Sequence, residues 1–109
     1  MSSGLSTVLN ILTKWHCTPQ QAINILHLQA NEPFPEYLSE EQLQRVSYVL
    51  NIHTSLTTVF KDSDNVYGFM TQPNNDPCFA GHTPLELIGS GDLTALEQTC
   101  WHIDSMRVA

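Results

Sequence analysis

Residues Phe69 to Ile88 read Phe-Met-Thr-Gln-Pro-Asn-Asn-Asp-Pro-Cys-Phe-Ala-Gly-His-Thr-Pro-Leu-Glu-Leu-Ile. The stretch ends in a dense helix-start signal. Thr83 is a capping residue, Pro84 suits the first helical position, and Glu86 completes a Thr-x-x-Glu capping box. The helix so opened is short, because Gly89 and Gly91 follow almost at once. The loop before it carries Pro73, Pro77 and Gly81, so backbone geometry rather than packing mass shapes the chain there. No nucleophile stands beside a base in this stretch, which points away from catalysis and toward a surface that presents itself to a partner.

Working upstream, Ser39 caps a long helix, with Gln42 at the position that reaches back to it. Leu43, Val46, Val49, Leu50, Leu56, Val59 and Phe60 form its apolar face, and Glu41 and Arg45 are spaced as a supporting i,i+4 pair. Asp62-Ser63-Asp64 ends it and starts a shorter helix through Val66, Tyr67, Phe69 and Met70. Downstream, the Gly89-Ser90-Gly91 turn leads to a last helix capped by Asp92, with Leu93, Leu96, Cys100 and Ile103 facing inward. At the other end, Leu5, Val8, Leu9, Leu12 and Trp15 recur at helical spacing. Thr18-Pro19-Gln20-Gln21 is a second capping box, followed by Ala22, Ile23, Ile25, Leu26 and Leu28. These two helices, joined at His16-Cys17, are arranged like the opening of a helix-turn-helix unit. Gln29 to Leu38 breaks that unit, since Pro33 and Pro35 each remove a backbone donor and bias the preceding residue toward extended geometry. No segment alternates apolar and polar residues. The expectation is an all-α bundle of about five to six helices, with a degenerate helix-turn-helix-like part over residues 5–60 and a second part over residues 61–109, folded as one unit.

At 109 residues and 41% apolar content the chain is long enough to bury a core without metal or disulfide staples. Lys14, Arg45, Lys61 and Arg107 are its only strong bases against eleven carboxylates, for a formal charge of −7. Such a chain lacks the electrostatic footprint for a phosphate backbone, and Glu32 and Glu36 would meet DNA with the wrong sign. A basic or mixed protein surface is the natural partner. Cys17, Cys78 and Cys100 show no Cys-x-x-Cys spacing, and the adjacent pairs His16-Cys17 and Cys100-Trp101-His102 do not share a helix face, so no metal site or other cofactor is expected. His27, His53 and His82 are equally scattered. Glu40-Glu41 and Asp62/Asp64 occupy helix starts, where negative charge complements the helix dipole, rather than forming acid–base pairs. Met1-Ser2-Ser3-Gly4 does not resemble a signal peptide, and no apolar run approaches the ~20 residues of a membrane span, so a cytoplasmic location without a membrane role is expected.

Pro73-Asn74, then Phe79-Ala80-Gly81-His82-Thr83-Pro84-Leu85-Glu86, then a glycine turn and a final amphipathic helix, resemble the toxin-binding domain of Xre/MbcA/ParS-type antitoxins. The resemblance extends upstream through the Ser39–Phe60 helix and covers residues from about Leu5 to Met106. Phe69 departs from it, since the family usually has tryptophan there, but an aromatic is kept. The resemblance implies an antitoxin that neutralises a cognate toxin, commonly a RES-type enzyme that consumes NAD, by covering its active site. With that reading go no enzymatic activity, an expected homodimer, and candidate toxin contacts at Asn74, Gly81, Thr83, Pro84, Leu85, Trp101, Met106 and Arg107. Part of the Leu43–Phe60 stripe is then a candidate dimer seam. Trp101 through Ala109, exposed by position and carrying Trp and Arg, is the candidate intruding element. The alternatives are a DNA-binding autorepressor of a toxin–antitoxin operon and an orphan dimeric interaction module. The family normally continues from the second helix into a basic recognition helix, and here that part is degenerate.

The charge balance yields a direct test. Four cations neutralise few phosphates, and residues 29–38 offer no helix for a major groove. The purified chain alone, at ~150 mM salt, should bind its own promoter no more tightly than about micromolar in a mobility-shift titration. Tighter, sequence-specific binding would revive the autorepressor reading.

Overall fold

Three capping boxes set helix starts where the sequence places them. In the computed structural model, which describes residues 3–32 and 34–108, the Thr18, Ser39 and Thr83 side chains accept the backbone N–H three residues on. Gln21, Gln42 and Glu86 return the bond. Asp62 and Asp92 cap two further helices through the N–H two residues ahead. The elements are α1 (Ser3–Lys14), α2 (Pro19–Leu26), α3 (Glu40–Val59), α4 (Ser63–Gly68), a 3-10 turn (Phe69–Thr71), α5 (Pro84–Ile88), α6 (Leu93–Ser105) and a closing 3-10 turn (Met106–Val108). The fold is all-α, as expected. Readings that rest on Met1, Ser2, Pro33 or Ala109 concern residues outside those described.

Helix ends were less legible than helix starts. The α1 and α2 stops are His16 and His27, with φ of 63° and 57°, left-handed positions usually taken by glycine. The N–H groups of Cys17 and Leu28 close back on Leu12 and Ile23 carbonyls, satisfying groups that the helix ends leave free. Two of the five histidines thus have a backbone role. Beyond Leu28 the described residues up to Leu38 hold no helix, only bends and one isolated bridge between Gln29 and Glu32.

One apolar cluster draws on every helix from α1 to α6. The radius of gyration is 13.2 Å, matching the ~13 Å of a single domain of this length. At its centre lies α3, packed against α1, α2, α4 and α6. Val46, Val49 and Leu56 are buried as expected. Leu43, however, is half exposed, Leu50 is only partly covered, and Ile52 is fully buried. With about 100° per residue, the buried stripe runs through Arg45, Val49, Ile52 and Leu56, and Leu43 and Leu50 fall outside it, toward the opposite face. Apolarity alone misplaced the stripe because its upper end is a charged residue.

That residue is Arg45, 4% exposed. Its Nη1 donates to the carbonyls of Gly91 at 2.9 Å and Ile25 at 3.2 Å, with a longer contact to Asn24 at 3.4 Å. Nη2 meets Glu41 at 3.2 Å, the pair foreseen in the sequence. The pair is no surface ornament, however, because the cation serves buried and half-buried carbonyls at the end of α2 and in the α5–α6 turn. Glu41 also bonds His27 Nδ1 at 3.1 Å, and Gln42 donates to the His27 carbonyl at 3.0 Å. The hydrogen bond from His27, followed by that from Arg45, holds the Glu41 carboxyl below its ordinary range. Asn24 in turn donates to the Gly89 carbonyl at 3.1 Å.

Arg45→Met keeps most of the volume but strands these carbonyls. We expect a loss of about 2–4 kcal/mol in urea unfolding, while Glu41→Gln, at an exposed carboxylate, shifts the midpoint far less. Equal effects from the two substitutions would show that the ion pair, rather than the carbonyl bonds, matters.

Candidate functional site

The loop between the Phe69–Thr71 turn and α5 is built by its own backbone. Asn74 donates its N–H to the His82 carbonyl at 3.1 Å and accepts from the Gly81 N–H at 2.7 Å, which closes the loop at its base. Within it, the Asn74 side chain accepts from Asp76 N–H at 2.9 Å, and the Asp76 side chain accepts from Cys78 N–H at 3.0 Å. The Asp76 carbonyl takes both the Phe79 and the Ala80 N–H at 2.8 Å. Ala80 and Gly81 turn the chain through consecutive left-handed conformations, φ 51° and 87°. Short Asx side chains mimicking backbone turns, followed by a glycine with positive φ, are what let this segment hold a shape without a core of its own.

One aromatic fastens the loop to the bundle. Phe79 is fully buried, edge-on to Phe69 at 6.4 Å and to His102 of α6 at 5.2 Å between ring centroids. His102 Nε2 also lies 3.6 Å from an Asp76 carboxylate oxygen. Phe69 reaches on to Phe60 at 5.9 Å, so an aromatic chain runs from the end of α3 to α6. Phe69 thus packs between Phe60 and Phe79. Phe79, Asp76 and His102 were not among the candidate site residues. The Asp-Pro step was a readable turn signal for Asp76, but nothing local paired Phe79 with His102, twenty-three positions away.

At the start of α5, Thr83 and Glu86 exchange bonds of 3.0 and 3.3 Å. The Thr83 backbone N–H, and after it the Thr83 hydroxyl, hold the Glu86 carboxyl below its ordinary range. Pro84 and Leu85 are buried, so they position the turn from within, whereas Asn74 and Thr83 are half-buried and Gly81 is exposed. On α6, Thr94, Gln98, Trp101 and Ser105 are exposed, and their spacing places them along one outer line. Trp101, 61% exposed, is the sole large apolar member of that line. The loop abuts it, with Cys78 Sγ 3.9 Å from the Gln98 carbonyl. The structure therefore brings Asn74, Gly81 and Thr83 into one loop and Trp101 onto the helix beside it.

Met106 and Arg107 sit apart from that group, and the chain end does not project. Ile103 is fully buried, and Met106 packs against the core. Asp104 accepts from Ser55 of α3 at 3.3 Å and from Arg107 at 3.4 Å. Trp101, Asp104, Ser105 and Arg107 remain exposed along this end of the chain, as the position predicts, while Ile103 and Met106 hold it to the bundle. An apolar position every three to four residues keeps α6 on the bundle to its last turn.

Burial raises the thiols of Cys78 and Cys100, and takes Cys17 up to about 11, so all three are poorly ionised. Among the described residues no group of three His, Cys, Asp or Glu side chains is arranged to hold a metal ion, and no helix is long and apolar enough to cross a membrane.

Residues 55–107 match a family model, the antitoxin Xre/MbcA/ParS C-terminal toxin-binding domain. The match begins within α3 and takes in α4, the closed loop, α5 and α6. No curated protein and no solved structure matches the chain.

Two glycines with φ of 87° distinguish conformational from steric demands. A Cβ at Gly81 would meet nothing nearer than Asn75 Oδ1 at 3.8 Å, whereas one at Gly91 would press on the Asn24 carbonyl oxygen at 3.1 Å. Gly81→Ala should therefore cost only the left-handed penalty of about 1–2 kcal/mol. Gly91→Ala should cost more, because it also disturbs the carbonyls that Arg45 binds. Thermal melts of the two variants decide; a reversed order would mean that the loop base is tighter than its geometry indicates.

Proposed function

We propose, from the premise that residues 55–107 belong to the Xre/MbcA/ParS toxin-binding family, that the chain is an antitoxin whose loop–α6 face docks on its cognate toxin. The single observation that carries this reading is the exposed Trp101 beside a loop whose shape is fixed in advance. A rigid loop loses little freedom on binding, and an exposed tryptophan on a polar helix line is the residue type that anchors interfaces. The toxin is of the RES type, an enzyme consuming NAD, and neutralisation is steric: the folded face covers the pocket that NAD must enter. The net charge of −7 favours docking on a basic rim and speeds the encounter.

The test is growth rescue on co-expression with the toxin encoded by the neighbouring reading frame, with cellular NAD measured alongside. Deleting residues 101–109 would remove Ile103 from the core, so point variants are the cleaner probe. Trp101→Ala should leave the melting temperature unchanged and weaken toxin binding by about 2 kcal/mol, roughly thirtyfold in Kd, with rescue lost. Full rescue by this variant would move the contact to the Asn74–His82 loop. Rescue without preservation of NAD would remove the RES assignment while leaving the antitoxin role.

A further inference from the structure

The segment between α2 and α3, where a DNA-reading helix is missing, leaves two adjoining hollows beside the His27–Glu41 end of the Arg45 clamp. One is an apolar slot of about 150 Å³ lined by Leu9, Pro19, Ala22, Ile23, Leu28 and Phe34. A void of that order holds a benzene-sized group. The other is an open cleft of about 510 Å³ whose walls include His27, Glu32, Tyr37 and Glu41, and Leu28 lines both. Phe34 and Tyr37 stand 64% and 83% exposed at their edges, among the most exposed large apolar side chains of the described residues. Exposed apolar surface rimmed by polar groups marks a protein-interaction site.

Charge selects the occupant. Glu32, Glu36, Glu40 and Glu41 fall within ten residues. The nearest cation in sequence, Arg45, is buried and committed to backbone carbonyls. A second copy of the chain placed face to face here would bring two such acidic sets together, and a nucleic acid would meet them with its own negative charge. The geometry points to a docking groove for a basic protein segment, one aliphatic side chain entering the slot and the lysines or arginines after it lying along the acidic cleft against Tyr37. The groove lies outside the matched toxin-binding segment and works independently of it. It makes the chain a two-sided adaptor, with the degenerate helix-turn-helix part recruiting protein rather than DNA. Cation–π contact with Tyr37 would add to the carboxylate attraction.

Titration of the full isotope-labelled chain with the acetylated tetrapeptide amide Leu-Lys-Arg-Lys tests this. Amide shifts should centre on Leu28, Phe34 and Tyr37, and affinity should fall as salt is raised from ~50 to ~300 mM. Replacing the peptide leucine by glycine should weaken binding about fivefold, as should Glu32→Lys or Tyr37→Ala in the protein, with melting temperatures unchanged. Equal binding of the glycine peptide reduces the groove to a diffuse acidic surface and overturns the proposal. So do shifts centred on α6, or unchanged affinity in the Glu32→Lys variant. Toxin rescue by the parent chain is read separately, so failure here leaves the antitoxin reading intact and failure there leaves the groove intact.

Discussion

A guanidinium buried among backbone carbonyls is the joint on which this small bundle turns. Arg45 sits in the second turn of α3, yet its bonds go to the end of α2 and to the turn between α5 and α6, segments twenty and forty-six residues away. Helix C-termini leave carbonyls without partners and carry partial negative charge, so a cation there both satisfies donors' counterparts and complements the dipole. Gly91 must be glycine on two counts at this joint, positive φ and a close Asn24 carbonyl. The histidine that ends α2 also belongs to it, through Glu41 and Gln42. Helix–helix packing supplies the bulk of the burial, but this joint fixes which end of α2 faces which end of α6.

From that frame the loop–α6 surface follows in steps. With the α5–α6 turn anchored, α6 lies along α3 and is held to its last turn by Ile103 and by Asp104 bonding Ser55. His102 then stands where Phe79 can meet it, and the loop closed by Asn74 and Gly81 is pinned from inside. The result is a hydrogen-bonded contour next to Trp101. On the proposed docking, an interface shaped beforehand spends less of its contact energy on ordering.

The two ends of the molecule divide the surface chemistry. Toward α6 the exposed apolar area is concentrated in one aromatic on a polar line. Toward the α2–α3 segment, aromatics and carboxylates mingle around hollows. A net charge of −7 opposes nucleic acid at long range and favours basic protein surfaces at both regions.

Local chemistry announced the all-α class and the helix starts, because a capping box or a proline at the first turn is satisfied within four residues. The three boxes, the Asp62 and Asp92 caps, the short α5 and the glycine at Gly81 were therefore readable from residues alone. The family resemblance was legible for the same reason, since its motif is a local turn and cap. What the linear chain withheld were groups whose partners lie far along it: Arg45 as a core residue, Phe79 against His102, and Ile52 at the centre of α3 with Leu43 turned outward. Burial of a charge, the facing of a helix and the pinning of a loop depend on carbonyls and rings supplied by other elements, and only the packed fold brings those within reach.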